Sequence, residues 1–159
     1  MDTLAVVASS PLVAGRQAAW IAALEPWRSL GYGAAGLARF LRRTARGAGV
    51  LIARESGART GRVVGVLCRQ EGVLLGDFIS LVAVRAEAAG RGVGRALVAR
   101  AEELTAGRRR WLFVSADARN RDALAFYRKL GFVRVGRLPD LIKAGHTEIL
   151  LRKGVHRTG

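Results

Sequence analysis

The chain has 159 residues, half of them hydrophobic, enough for one core but with no apolar run near the ~18 residues of a membrane helix. Its net charge of +15 invites polyanionic partners, yet the excess is scattered arginine, with all but three of the 27 basic residues being Arg. Aromatic residues make up only 6%, too few for base-stacking platforms, so the charge argues for phosphorylated small ligands and against nucleic acid.

Residues 3–8 read as a first strand, and the start Met1-Asp2-Thr3-Leu4 lacks the basic region of a secretory signal. Ser10-Pro11 offers an N-cap and a first helical residue. The helix they open carries Leu12, Ala19, Trp20, Ala23 and Leu24 until Pro26 interrupts it. A second helix follows, in which Leu37, Phe40, Leu41 and Ala45 recur at helical spacing. Residues 50–54 and 63–69 are strands around a turn at 56–61. The single cysteine, Cys68, has no internal disulfide partner and reads as a buried, inert thiol. A cytoplasmic protein of one domain, with no membrane partner, is the expectation. Glu71-Gly72 then turns the chain into a long strand over 73–84, bulged at Gly76.

That strand runs into a glycine-punctuated loop, Ala89-Gly90-Arg91-Gly92-Val93-Gly94-Arg95, and straight on into a helix from Gly94 to Ala106. Glycines leave backbone N–H groups uncovered, and the first turn of a helix has unpaired N–H groups at its positive dipole end. Together they form a cradle for a phosphate or pyrophosphate. A strand over 111–116, a helix over 121–130 stopped by Gly131, and two last strands over 132–138 and 147–151 complete the chain. The order β-α-α-β-β-β-α-β-α-β-β implies an α/β fold, a central mixed sheet with helices on its faces. His156, near the C-terminus, is expected to play no part.

Two segments carry a more specific likeness. The first is Leu81-Val82-Ala83-Val84 with the loop that follows. The second is Val114-Ser115-Ala116-Asp117 through Asn120, then Ala123, Phe126-Tyr127, Lys129 and Leu130-Gly131-Phe132. In this element order they resemble the GNAT superfamily of acyl-CoA-dependent N-acyltransferases, through its pyrophosphate motif Q/R-x-x-G-x-G/A and its N-x-x-A-x-x-F-Y-x-x-x-G-F signature. One position departs: Ala89 stands where the family usually has Gln or Arg. Backbone N–H groups hold most of a pyrophosphate, and Arg91 and Arg95 supply neighbouring charge.

The resemblance implies direct transfer of an acyl group, usually acetyl, from acetyl-CoA as co-substrate to an amine, without a metal. Residues 89–95 would neutralise the pyrophosphate. Backbone groups of Val82, Ala83 and Val84 would pair with the pantetheine arm, and an N–H near Val82 would polarise the thioester carbonyl. Asn120 would bond the pantetheine or cap the next helix. Tyr127, seven residues after Asn120, matches the family's general-acid tyrosine. A phenol with a pKa near ~10 can protonate a hydrogen-bonded thiolate of parent pKa near ~8.5. The base that takes the amine's proton is open among Glu148, Asp77, His146 and a water chain. Trp27 and Tyr32 would wall an acceptor pocket, with Asp140 or Glu25 anchoring a cationic amine.

A small-molecule amine is the leading acceptor, because the positive charge would repel basic protein tails. A protein N-terminus or lysine is the alternative acceptor, and a non-catalytic acyl-CoA sensor the alternative of another class. Many members of the family are dimers, which makes a homodimer an expectation.

Overall fold

The computed structural model describes residues 4–55 and 61–155. In chain order it contains β1 (Leu4–Ala8), α1 (Pro11–Gly15), α2 (Ala18–Ala22), α3 (Ala34–Arg46), β2 (Val50–Glu55), β3 (Val63–Val73), β4 (Gly76–Val84), α4 (Val93–Ala106), β5 (Trp111–Asp117), α5 (Arg121–Lys129), β6 (Val133–Pro139) and β7 (Thr147–Gly154). The strands hydrogen-bond in the order β1-β2-β3-β4-β5-β7-β6. β4 and β5 are parallel, whereas β1–β2, β2–β3, β5–β7 and β6–β7 are antiparallel. This is the mixed α/β sheet expected from the order of elements. Residues 56–60, which hold most of the turn expected between β2 and β3, and His156 lie outside the described residues.

Two compact units make up the fold, one of residues 1–70 and 81–101, the other of 71–80 and 102–159. Each takes two stretches of chain, so no linker or composition shift marks them in the sequence.

In the first unit, α3 buries Leu37, Leu41 and Ala45, one face of the helix at four-residue spacing, against a cluster that includes Ile21, Val50, Ile52, Val66 and Cys68. Each fully enclosed aliphatic side chain there stabilises the fold by about 2 kcal/mol relative to an exposed one. The same enclosure pushes the Cys68 thiol up to about 12, so it stays protonated and unreactive. Ser10 caps α1 as expected, its hydroxyl accepting from Val13 N–H at 3.3 Å, with Pro11 next. The single helix expected up to Pro26 is instead two short ones. At Gln17 the backbone N–H turns to Ala14 C=O, a three-residue span, while the Gln17 side chain donates to Val13 C=O at 2.9 Å. That amide competes with the helical ladder and breaks it.

In the second unit β5 lies between β4 and β7. The β4–β5 ladder runs from Gly76↔Trp111 to Ile79↔Val114. The turn expected at Glu71-Gly72 falls instead at Leu74-Leu75, both at positive φ (50° and 63°), the signature of a two-residue hairpin turn. Nor is Gly76 a bulge. It is glycine because a Cβ there would collide with the Trp111 carbonyl oxygen and lie 2.9 Å from the Trp111 Cβ. Gly76→Ala should therefore cost about 2 kcal/mol, read as a lower denaturation midpoint at unchanged m-value. A midpoint equal to that of the wild type would show that β5 has room to yield.

Candidate active site

The residues expected to serve the reaction divide between the two units. In the first, β4 alternates buried Leu81 and Ala83 with half-buried Val82 and Val84. A 3₁₀ turn at Ala86–Ala88 uses up the N–H groups of Ala88 and Ala89, which bond to Arg85 and Ala86 carbonyls. Residues 89–92 are exposed, with Gly90 at φ 75° and Gly92 at φ 81°. A Cβ at either glycine would meet nothing within 4 Å, so backbone conformation, not crowding, calls for glycine there. The first N–H of α4 to bond back is that of Ala96, to Gly92 C=O at 3.0 Å. Those of Val93, Gly94 and Arg95 precede the helical ladder, at its positive end.

Charge surrounds this loop. Arg91 holds Glu55 at 3.1 Å and Arg62 pairs with Glu87. Arg85 donates through Nε to Val63 C=O at 2.8 Å, its guanidinium 4.6 Å from the Trp20 ring centroid. Arg95 is exposed. Of the expected acceptor residues in this unit, Trp27 packs on the hydrophobic cluster, whereas Tyr32 is exposed and joined to it through the backbone, Tyr32 N–H to Trp27 C=O at 3.0 Å.

In the second unit Asn120 caps α5, its Oδ1 accepting from Ala123 N–H at 3.1 Å. The cap starts a helix whose one buried residue is Tyr127. The Tyr127 ring lies edge-on to Phe126 and Phe132, with centroids 5.1 and 5.6 Å apart. Burial pushes its phenol above the ordinary tyrosine value, so the hydroxyl keeps its proton throughout the working range of pH. Phe126 and Phe132 pack against the ring of this buried tyrosine.

Asp77 is no longer an attractive base. It is 1% exposed, accepts from the Thr105 hydroxyl at 2.8 Å and from Gly72 N–H at 3.3 Å, and has Arg109 at 3.9 Å. Its carboxylate is consumed in tying the start of β4 to the end of α4. Asp140 likewise works within its own loop, its Oδ1 accepting from Gly145 N–H at 2.8 Å and its N–H donating to His146 C=O at the same distance. Glu25 bonds Arg28 at 2.9 Å.

Glu148 is different. It is 9% exposed, and its Oε2 is buried with no hydrogen-bond partner among the described residues. Burial raises its carboxyl above the usual range; the Asp117 carboxylate raises it further, and His146 opposes. Asp117 has the opposite character. Burial would raise it too, but N–H donation from Arg119 and the bond to His146 Nδ1 at 2.6 Å outweigh that and bring it below the usual range. Sequence reasoning gave Asp117 no role, because only the β5–β7 register sets it opposite Glu148.

A family model of the acetyltransferase (GNAT) domain matches residues 46–134. The chain belongs to the GNAT family of acetyltransferases. Similar solved structures include a GNAT-family acetyltransferase from Bacillus cereus, 17% identical at TM-score 0.75, covering 98% of this chain and 99% of that one. The ribosomal-protein-S18-alanine N-acetyltransferase of Escherichia coli is 18% identical at TM-score 0.69, with 99% and 97% covered. A streptothricin acetyltransferase from Bacillus anthracis, solved with acetyl coenzyme A, is 20% identical at TM-score 0.58, with 66% and 61% covered. Comparison with curated proteins finds no match.

This acetyltransferase is an acyl-CoA-dependent N-acyltransferase with acetyl-CoA as co-substrate. The loop fits such a ligand: N–H groups that precede the helical ladder, open space above Gly90 and Gly92, and arginines to either side. No cluster suited to a metal ion occurs among the described residues, nor any helix long and apolar enough to cross a membrane. Removing the Asp77 carboxylate with Asp77→Ala should cost about 3 kcal/mol of stability, since it leaves buried partners unmatched. Calorimetry should still register CoA binding in that variant below its melting temperature. A stable variant without turnover would restore Asp77 to the chemistry.

Proposed function

We propose that this acetyltransferase moves the acetyl group of acetyl-CoA directly onto the primary amine of a small molecule, with Tyr127 as general acid and Glu148 as general base. The observation that carries this reading is Glu148 itself, a nearly buried carboxylate with an unpartnered oxygen and a raised proton affinity. Structural carboxylates are satisfied, as Asp77 is. A base must keep a lone pair free and bind a proton at a pH where amines are abundant.

Acetyl-CoA supplies an activated acyl thioester, its diphosphate held by N–H groups of residues 90–95 and its pantetheine by the backbone of Val82 and Val84. Glu148 takes a proton from the acceptor ammonium. The amine nitrogen then forms the new bond to the acyl carbon as the carbon–sulfur bond breaks. The Tyr127 hydroxyl gives its proton to the departing sulfur. The extra proton left on the new amide nitrogen passes to the tyrosinate through solvent, and Glu148 releases its own proton to solvent. Apolar surroundings that hold the phenol neutral also raise the proton affinity of a thiolate brought beside it, which favours the transfer to sulfur.

The acceptor is argued from charge. At +15 the protein repels basic polypeptides and favours acceptors that carry an anionic group. A protein N-terminus is the second reading, favoured by near-complete coverage of the S18-alanine enzyme, which modifies a protein.

Thiol release measured over a panel of small amines and N-terminal peptides separates the two acceptors. Turnover confined to peptides would overturn the small-molecule assignment. Tyr127→Phe should lower kcat by about 10²-fold with little change in the KM for acetyl-CoA, and undiminished turnover would remove the acid role. For the base the sign is fixed. Glu148 acts when ionised and its carboxyl is raised, so kcat/KM should begin to fall on the acid side at a higher pH than an exposed glutamate would give. Glu148→Gln should abolish that limb and lower kcat/KM by about 10²-fold.

A further inference from the structure

The end of the β5–β7 ladder sets two carboxylates against each other. Asp117 and Glu148 are Cα partners in the antiparallel register. Directly opposed residues project to the same sheet face with Cβ atoms ~5 Å apart, and like charges so placed repel. His146 lies just before β7, two residues ahead of Glu148. Its Nδ1 is 2.6 Å from Asp117 Oδ2, and its own backbone is fixed by His146 N–H to Lys143 C=O and Asp140 N–H to His146 C=O. The other groups around the pair are accounted for. Arg119 donates its N–H to Asp117 Oδ1 at 2.8 Å and sends its guanidinium to Gly145 C=O at 3.0 Å. On β6 the residue opposite Glu148 is apolar Leu138. Asp117 and His146 are therefore the charged groups that act on Glu148 among the described residues.

We propose that Asp117 and His146 are positioning residues that set the proton affinity of Glu148. Asp117 holds a second carboxylate across the ladder from it, and His146, clamped to Asp117, offsets that charge whenever it carries a proton. Neither residue touches the acceptor in this scheme; both act through Glu148. The inference rests on Glu148 as the base for its catalytic meaning, but not for its physical content. Two carboxylates face each other whatever the reaction does, and the imidazole is bonded to one of them.

The two residues pull in opposite directions, which distinguishes tuning from general structural damage. Asp117→Asn removes the repulsion and should ease Glu148 into ionising at lower pH. His146→Gln keeps a donor for Asp117 but removes the compensating charge, so Glu148 should ionise at higher pH. His146→Asn serves the same purpose should the glutamine variant fold poorly.

The test is a carboxyl-carbon NMR titration of the full chain labelled at glutamate, with the Glu148 resonance assigned by its loss in Glu148→Gln. Movement of the Glu148 midpoint downward in Asp117→Asn and upward in His146→Gln is the expected result. Midpoints that stay put, or move the same way in both variants, overturn the proposal. The acid limb of kcat/KM, measured on the same variants, separates this outcome from the fate of the base assignment. If the limb follows the NMR midpoints, with several-fold rate changes at a fixed pH on the limb, both stand. If the NMR midpoints diverge while the limb does not move, Glu148 is tuned as proposed and another group is the base.

Discussion

Backbone N–H groups without an acceptor among the described residues are the constraint around which the glycine loop is built. A folded chain seldom leaves donors unpaired, and where it does it keeps them exposed to water or a ligand. Here β4 delivers the chain to a 3₁₀ turn that satisfies two donors, and α4 begins bonding only at Ala96. Between them Gly90 and Gly92 reverse the chain without putting side chains over the donors. The neighbouring cations are themselves partly neutralised, Arg91 by Glu55 and Arg62 by Glu87. The loop thus suits the proposed diphosphate without being an unshielded block of positive charge.

The other half of the proposed chemistry is organised by burial. Tyr127 is buried with its ring edge-on to two phenylalanines, while the β5–β7 register sets Glu148 against a like charge. Both arrangements carry a cost. An ionised Glu148 facing Asp117 destabilises the folded state at neutral pH relative to a neutral residue, because its carboxyl is raised in the fold. Asp77, with comparable burial but a full set of partners, is the contrasting case of an acid that stabilises.

Much of this was legible in the sequence where the signal is local. Spaced glycines after an apolar strand, Ser10-Pro11 at a helix start, and Asn120 three residues before Ala123 each rest on interactions within a few residues, and the structure forms them. Non-local relations were not legible. The pairing of Asp117 with Glu148 depends on a register between strands thirty-one positions apart, which no local pattern encodes. Gly76 read as a bulge because its reason, the approach of the Trp111 carbonyl, lies on another strand. The break in the first helix turned on one side-chain amide, that of Gln17, competing for a carbonyl. Nor does any local pattern show Asp77 engaged by Thr105 and Arg109, which reach it from distant positions.

The hairpin between β3 and β4 has a practical corollary. Leu74 and Leu75 form its tip at 67% and 83% exposure, both in a backbone region where leucine is strained and asparagine or glycine is at ease. An Asn-Gly pair grafted there would relieve the torsional strain and remove two sticky side chains from the surface. That makes the tip the natural first site for engineering a more soluble, crystallisable form of the enzyme.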